Sequence, residues 1–557
     1  MTRSTSVRTH RRVAGAVAAA LVLPLATAGP ALAHDSGALH AEAAGLRAAG
    51  PALPNVTSDN VKLIAGIPET AAISMEFART GPFAYVSSLD TISVLDLTDP
   101  RNPVLRGTLI NALFENESMT YGERVIDGEL VRFVIAAIDI YQASPDDLEH
   151  INVGDGLEIA IVDVTDPDNP TIRSRTPVGD APGAVTTSTH TVQCVDQADC
   201  RYAYTAGTGS AFSILDFTDL DAPKELKTAV SPASGPGKDG FRRGAGHYWD
   251  FDGVLGWHTG SGGAAAFDIS DPTNPRLVNA TNPLGRGKPI NDFILHNSMR
   301  PNAAAFKPGA APSIANGNVL LITEEDYFDE GDELVCSEAG SFQTWYVPDL
   351  DAAAYRAKNP DGTTQDVGTV APLDQSNVPD EFGGGVTSPV TGFCSAHWFD
   401  FHQDGFVAQG FYGGGLRIVD VRDPREIKQF GYATGVATQV WDAYWVPQRD
   451  AKGVSIPGQK TNIVYTADAV RGIEVYEVDL AAAADNSGTP PVDGPNPPEG
   501  PGNNEIRPGA NPGDGSGTSS SDRPAPSLAA TGLGTALPLL AALMLGTAVL
   551  VRRRRTT

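Results

Sequence analysis

The 557-residue sequence predicts an all-β fold, a seven-bladed β-propeller rather than one of six or eight blades, on three observations. First, one phrase of apolar-apolar-Asp-apolar-Thr/Ser-Asp-Pro character keeps returning. It runs from Ser93 to Pro100, Ala160 to Pro167, Ser213 to Asp219, Ala265 to Pro272 and Arg417 to Pro424, and in fading form from Glu474 to Asp479. Asp163, Asp216 and Asp268 fall 53 and 52 residues apart, and the 152 residues from Asp268 to Asp420 leave room for one degenerate copy, assigned to Trp345-Tyr346-Val347-Pro348-Asp349. Second, another run of strand type precedes each copy, such as Phe83 to Val86, Tyr202 to Thr205 or Asn462 to Thr466. Three to four short strands in a unit of about 50 residues is the pattern of a propeller blade. Third, 59 Gly and 42 Pro are too many for helix interiors, which makes a turn-rich chain the better expectation.

In chain order, residues 1–33 read as an export signal. Met1 to Arg12 is basic, Val13 to Leu25 is apolar, and Ala31-Leu32-Ala33 offers small residues for cleavage before His34. Residues 34–55 are an Ala-rich tether and 56–480 the propeller. Residues 481–527 are Pro, Gly, Ser, Asn and Asp with almost nothing apolar, a composition that cannot offset chain entropy and predicts a disordered stalk. At polyproline rise it would reach on the order of 140 Å. The segment 528–557 closes the chain with Leu528-Ala529-Ala530-Thr531-Gly532, an apolar stretch at 533–551 long enough to cross a bilayer, and four arginines. This order resembles the LAxTG sorting signal read by class E sortases of high-GC Gram-positive bacteria. The resemblance implies cleavage between Thr531 and Gly532 and attachment of Thr531 to the cell wall; a plain transmembrane anchor is the alternative.

Within each repeat the Asp-Pro step predicts a turn, with Pro100 presetting φ and Asp99 accepting a backbone N–H two residues on. The repeat aspartates are therefore read as structural. The whole phrase, extended by x-x-Pro as in Asp99-Pro100-Arg101-Asn102-Pro103, resembles the LVIVD repeat of bacterial and archaeal surface propellers across roughly residues 60 to 480. That resemblance implies a secreted, propeller-like surface protein and leaves its activity open.

The four cysteines suit an exported chain. Cys194 and Cys200 enclose five residues between apolar runs, predicting a local bridge, which leaves Cys336 with Cys394. No Cys spacing matches a zinc pattern.

A second periodicity lies upstream of the first and carries the candidate chemistry. His190, His247 and His397 precede Asp216, Asp268 and Asp420 by 26, 21 and 23 residues, and His296 sits in a similar short strand context. The same offset, allowing for insertions, marks Glu76, Glu117 and Asp442 in the other units. The first strand of each blade lines a propeller's channel, so one equivalent position per blade predicts one ring. Four imidazoles and three carboxylates there suit copper, zinc or iron. The alternative is a polar, water-filled channel. Trp249, Trp398, Trp441 and Trp445 flank ring positions and are read as packing between blades. The acidic run from Glu324 to Glu333 departs from an EF-hand loop and reads as a solvated loop, with calcium as the alternative.

A net charge of −27 disfavours nucleic acid as a partner, and contact with membrane is expected only through the C-terminal segment before sorting. Serine-hydrolase, zincin and P-loop motifs are missing from the sequence. Two function classes follow. One is a wall-anchored binding or scaffold module whose insertions (111–156, 283–318, 326–392 and 447–461) contact a protein, glycan or small ligand. The other is a secreted metallo-oxidoreductase using the channel site.

Overall fold

The computed structural model describes residues 55–68, 72–88, 91–110, 117–138, 158–178, 190–207, 211–230, 246–260, 263–282, 294–325, 340–352, 368–376, 394–435 and 437–482. The export signal, most of the tether, nearly all of the stalk and the sorting segment with its apolar stretch lie outside these residues, as do Cys336, Asp326 to Glu333 and parts of three insertions, whereas 117–138, 294–318 and all of 447–461 are described. No helix among the described residues is long and apolar enough to cross a membrane.

Seven antiparallel sheets of consecutive strands account for the described chain. Blade 1 comprises Ser74–Phe77, Phe83–Ser87, Thr91–Asp96 and Val104–Ile110. Blade 2 comprises Thr120–Ile126, Glu129–Ile138, Glu158–Asp163 and Thr171–Pro177. Blade 3 comprises Thr191–Cys194, Tyr202–Ala206, Ala211–Asp216 and Lys224–Val230. Blade 4 comprises Gly246–Phe251, Leu255–Gly260, Gly263–Asp268 and Arg276–Ala280. Blade 5 comprises Ile294–Met299, Val319–Glu325, Phe342–Tyr346 and Ala371–Ser376, so the degenerate repeat at Trp345 does occupy a third strand. Blade 6 comprises Phe399–His402, Phe406–Gly410, Leu416–Asp420 and Lys428–Gly435. Blade 7 comprises Val440–Arg449, Ser455–Asp468 and Gly472–Val478.

The N-terminal chain completes the last two blades. Val61–Ile67 pairs with Gly472–Val478 as the fourth strand of blade 7, from Val61 opposite Val478 to Ile67 opposite Ile473. Asn55–Thr57 adds a fifth strand to blade 6. First strands of successive blades touch one another all the way round, blade 7 closing on blade 1, which defines a seven-bladed β-propeller and its axis.

The core is divided among the seven blade junctions. Tyr85 and Val94 of blade 1 meet Tyr121 and Val134 of blade 2. Phe133 and Ile161 meet Ala203 and Leu215, and Tyr204 and Phe212 meet Trp249 and Phe267. Trp257 meets Leu320 and Trp345, Val319 and Phe342 meet Phe399 and Val419, Ile418 meets Trp445 and Val464, and Tyr465 and Val475 meet Val86 and Leu95. Alternating residues of one strand face opposite neighbours, so runs such as Ile161-Val162 are apolar throughout.

The repeat aspartates build turns. Asp96 accepts the Thr98 N–H at 2.8 Å and Asp99 that of Arg101 at 3.0 Å, while the Asn102 N–H closes on the Asp99 carbonyl. Paired bonds of this kind recur at Asp163/Asp166, Asp216/Asp219, Asp268/Asp271 and Asp420/Asp423. The turns also tie blades together: Tyr204 Oη donates to the Pro272 carbonyl, Tyr465 Oη to that of Pro100 and Thr344 Oγ1 to that of Pro424. Cys194 and Cys200 form a disulfide between the first two strands of blade 3. Cys394 is also disulfide-bonded.

The expectation of a solvated acidic loop needs correction at its start. Glu324 and Glu325 are fully buried, because they end the second strand of blade 5 rather than begin a loop.

Candidate metal centre

Backbone irregularity aims the histidines at the axis. In blade 4 the pairing register slips between Gly246 and Tyr248, which leaves His247 out of the ladder. In blade 5 it slips between Leu295 and Ser298 and frees His296 and Asn297. A bulge residue leaves the pleat and can point along the sheet edge instead of across its face. His190 and His397 reach the same place differently, just ahead of the first strands of blades 3 and 6. Gly246 is needed at its position, since a Cβ there would lie 2.3 Å from His258 Nε2.

The four imidazoles stand in blade order. Ring centroids are 4.5 Å apart for His190 and His247, 3.9 Å for His247 and His296, and 4.1 Å for His296 and His397. Their Nε2 atoms converge on one buried carboxylate, Glu117, at the entry to blade 2. His190 Nε2 lies 3.0 Å from Glu117 Oε2; His296, His397 and His247 Nε2 lie 3.0, 3.3 and 3.5 Å from Oε1. On their far sides, His247 Nδ1 is 3.1 Å from the His296 carbonyl and His397 Nδ1 3.0 Å from that of Trp441. A carbonyl can only accept, so each of these two Nδ1 atoms carries a proton and each ring is fixed with Nε2 toward Glu117.

Electrostatics keep this set ready for a cation. Burial would raise the Glu117 carboxyl, but the charge of His190 and hydrogen bonds from His190, His296 and His397 outweigh it and hold Glu117 well below the usual range. Burial, reinforced by the charge of His397, pushes His296 down to about 3. At neutral pH the site therefore holds an ionised carboxylate beside a neutral imidazole, the states that bind metal.

Sequence reasoning missed two members. Glu325 Oε2 lies 3.9 Å from His296 Nε2 and 4.0 Å from His247 Nε2, and Tyr412 Oη donates to Glu325 Oε1 at 2.6 Å. Tyr412 is wholly buried, packs its ring 4.6 Å from that of His397, and adopts a left-handed φ of 44°. Its only sequence signal is the run Gly413-Gly414-Gly415, which gives the chain the freedom to turn there.

Glu117, His247 and His296 form one set of potential metal ligands, and His296, Glu325 and His397 another, the donor atoms of each lying within 4.8 Å of one another. These residues can hold a metal ion. The edges of a tetrahedral or octahedral shell at 2.0–2.1 Å are about 2.9–3.4 Å, close to the distances from the histidines to Glu117.

Glu76 and Asp442 do not join the set. Asp442 is buried with Oδ2 accepting the Met75 N–H at 2.7 Å; burial, with the charges of Glu76 and Glu117, pushes its carboxyl well up. Glu76, half-buried, is pushed up to about 8 by burial, with the charge of Lys460 opposing and that of Asp400 reinforcing. Blade 1 has no bulge over Ser74–Phe77, so Glu76 stays in the ladder opposite Tyr85.

Trp249 packs against Tyr204 and Phe212 and Trp445 against His402 in blade junctions. Trp441 and Trp398 lie against the site itself, Trp441 beside His397 and Tyr412 and Trp398 4.5 Å from the His296 ring and 4.6 Å from that of Tyr248.

No family model matches the chain. No curated protein matches it in sequence. Among solved structures it is similar to the Cps50 (Swd1) beta-propeller domain of Myceliophteria thermophila, at 12% identity over 75% of this chain and 100% of that one, with a TM-score of 0.44. The fold rests on the strand order and not on that likeness.

Proposed function

We propose that this protein is a cell-surface β-propeller that binds a transition metal on its axis and serves as a binding or scaffold module. One observation carries the reading. Four histidines from four consecutive blades direct Nε2 to within 3.5 Å of a single buried carboxylate. Four ring nitrogens gathered in one buried place around a carboxylate make the donor set of a transition-metal site. The mix of imidazole and carboxylate favours zinc, copper or iron over calcium or magnesium, which take oxygen shells. His190, His247, His296, His397 and Glu117 would supply the metal ligands, with Glu325 beside them and held by the Tyr412 hydroxyl.

Display at the cell surface belongs to the same proposal. It rests on the export signal, the LVIVD resemblance and the Leu528-to-Gly532 signal, with the cell wall as the covalent partner and a protein, glycan or small molecule as the ligand of the propeller. A second reading, a metallo-oxidoreductase, is favoured by the rings of Trp398 and Tyr412 lying 4.5 and 4.6 Å from candidate ligand imidazoles, where they could carry an electron.

Elemental analysis of protein purified without chelating resin tests the proposal. Metal bound stoichiometrically, and reduced in His296→Ala, is the expected result. A protein that stays metal-free after incubation with zinc, copper and ferrous iron in turn would contradict it.

A further inference from the structure

Glu117 Oε2 is approached by His190, and Oε1 by His296, His397 and, at 3.5 Å, His247, which the short contact with His190 draws to the Oε2 side. Oε2 meets His190 at 3.0 Å, and His190 Nε2 is in turn 2.9 Å from His247 Nε2. Oε1 meets His296 at 3.0 Å and His397 at 3.3 Å. These are shell-edge distances on both sides of one carboxylate. Glu325 repeats the arrangement: its Oε2 lies 4.0 Å from His247 and 3.9 Å from His296, one histidine of each pair, while its Oε1 is occupied by Tyr412. Six donors, four imidazoles and two carboxylates, are more than a single tetrahedral ion accepts.

We propose that the axis holds two divalent transition-metal ions bridged by the Glu117 carboxylate. His190, His247 and Glu117 Oε2 bind one ion; His296, His397 and Glu117 Oε1 bind the other. Glu325 lies across both pairs. Paired metal sites place their ions about 3.5–4 Å apart, a span that one carboxylate bridges through its two oxygens. Blades 3 and 4 thus supply one ion's imidazoles and blades 5 and 6 the other's, with the carboxylate of blade 2 between them.

This inference rests on the metal-binding reading, and its test separates the two. Full-length protein is loaded with copper(II), freed of excess ion by gel filtration, and examined by native mass spectrometry and by electron paramagnetic resonance with spin integration. The expected result is two copper ions per chain with an integrated spin well below the copper content, because a bridging carboxylate couples the two unpaired electrons. His190→Ala is expected to retain one copper with its full spin, at an unchanged melting temperature; His190→Gln replaces it should the alanine variant fail to fold. One copper of full spin in the wild type, or two copper ions retained in the His190 variant, would overturn the two-ion site and leave the metal-binding reading standing. No bound copper, and no bound metal after the same loading with zinc and with ferrous iron, would overturn both.

Discussion

Glu76 couples stability to pH, and the size of the effect can be worked out from its surroundings. Burial raises its carboxyl from the ordinary 4.5 to about 8 in the folded protein, with Lys460 opposing and Asp400 reinforcing. Below pH 4.5 the group is protonated whether the chain is folded or not, and it costs nothing. Between 4.5 and about 8 the unfolded chain ionises while the folded one must keep the proton, so the fold loses stability as pH rises. Above about 8 both states are ionised and the penalty is constant. The full penalty is at most about 5 kcal/mol at 1.36 kcal/mol per pKa unit. Glu76 is only half-buried, and solvent screening discounts the figure to about 2 kcal/mol. Glu76→Gln removes the ionisation while preserving shape. The variant is expected to match the wild type at pH 4.5 and to melt about 2–3 °C higher at pH 8.5, given the unfolding entropy of a propeller this large. Scanning calorimetry at half-unit pH steps measures the difference. A constant offset between the two proteins across that range would refute the reasoning.

Three further perturbations test closure, packing and display. Val61 is 2% exposed against Val478, whereas Leu63 on the same strand is 38% exposed; Val61→Ala is expected to cost about 2 kcal/mol and Leu63→Ala under about 0.5 kcal/mol, and equal effects in thermal melts would place the closing strand in another register. A Cβ on Gly122 would fall 2.8 Å from Cys200 Cβ and from the Phe133 ring, so Gly122→Ala is expected to cost about 1–3 kcal/mol by overpacking, checked by the same melts. Thr531→Ala is expected to shift the protein from the wall fraction released by muralytic digestion to the membrane or medium; an unchanged fraction would point to another mode of attachment.

The fold was legible in the sequence because its punctuation is local. Each Asp-x-Thr/Ser-Asp-Pro phrase encodes a strand end and its turn through bonds that span two or three residues, such as those of Asp96 and Asp99, and these survive any tertiary context. Even the degenerate copy at Trp345 was recoverable from spacing. The site was half legible. A fixed offset from the repeat phrase found His190, His247 and His397, and a shared strand context added His296, since all four lie on or beside first strands. The offset failed at Glu76 because bulges at His247 and His296 shift those side chains by a residue and blade 1 has no such bulge. Glu325 was hidden for another reason. It comes from a second strand, and its acidic neighbours suggest solvent, while its burial depends on blades 4 and 6 packing on either side. Tyr412 was hidden because a left-handed backbone at a non-glycine residue leaves no periodic trace.

X-ray absorption at the edge of the bound metal decides whether the axial histidines are its ligands. The expected first shell is nitrogen and oxygen only, near 2.0–2.1 Å for zinc, with the outer-shell scattering of at least two imidazoles per ion. In His397→Ala the imidazole contribution should fall while the fold persists. A shell containing sulfur, or one of oxygen alone without imidazole scattering, would contradict it.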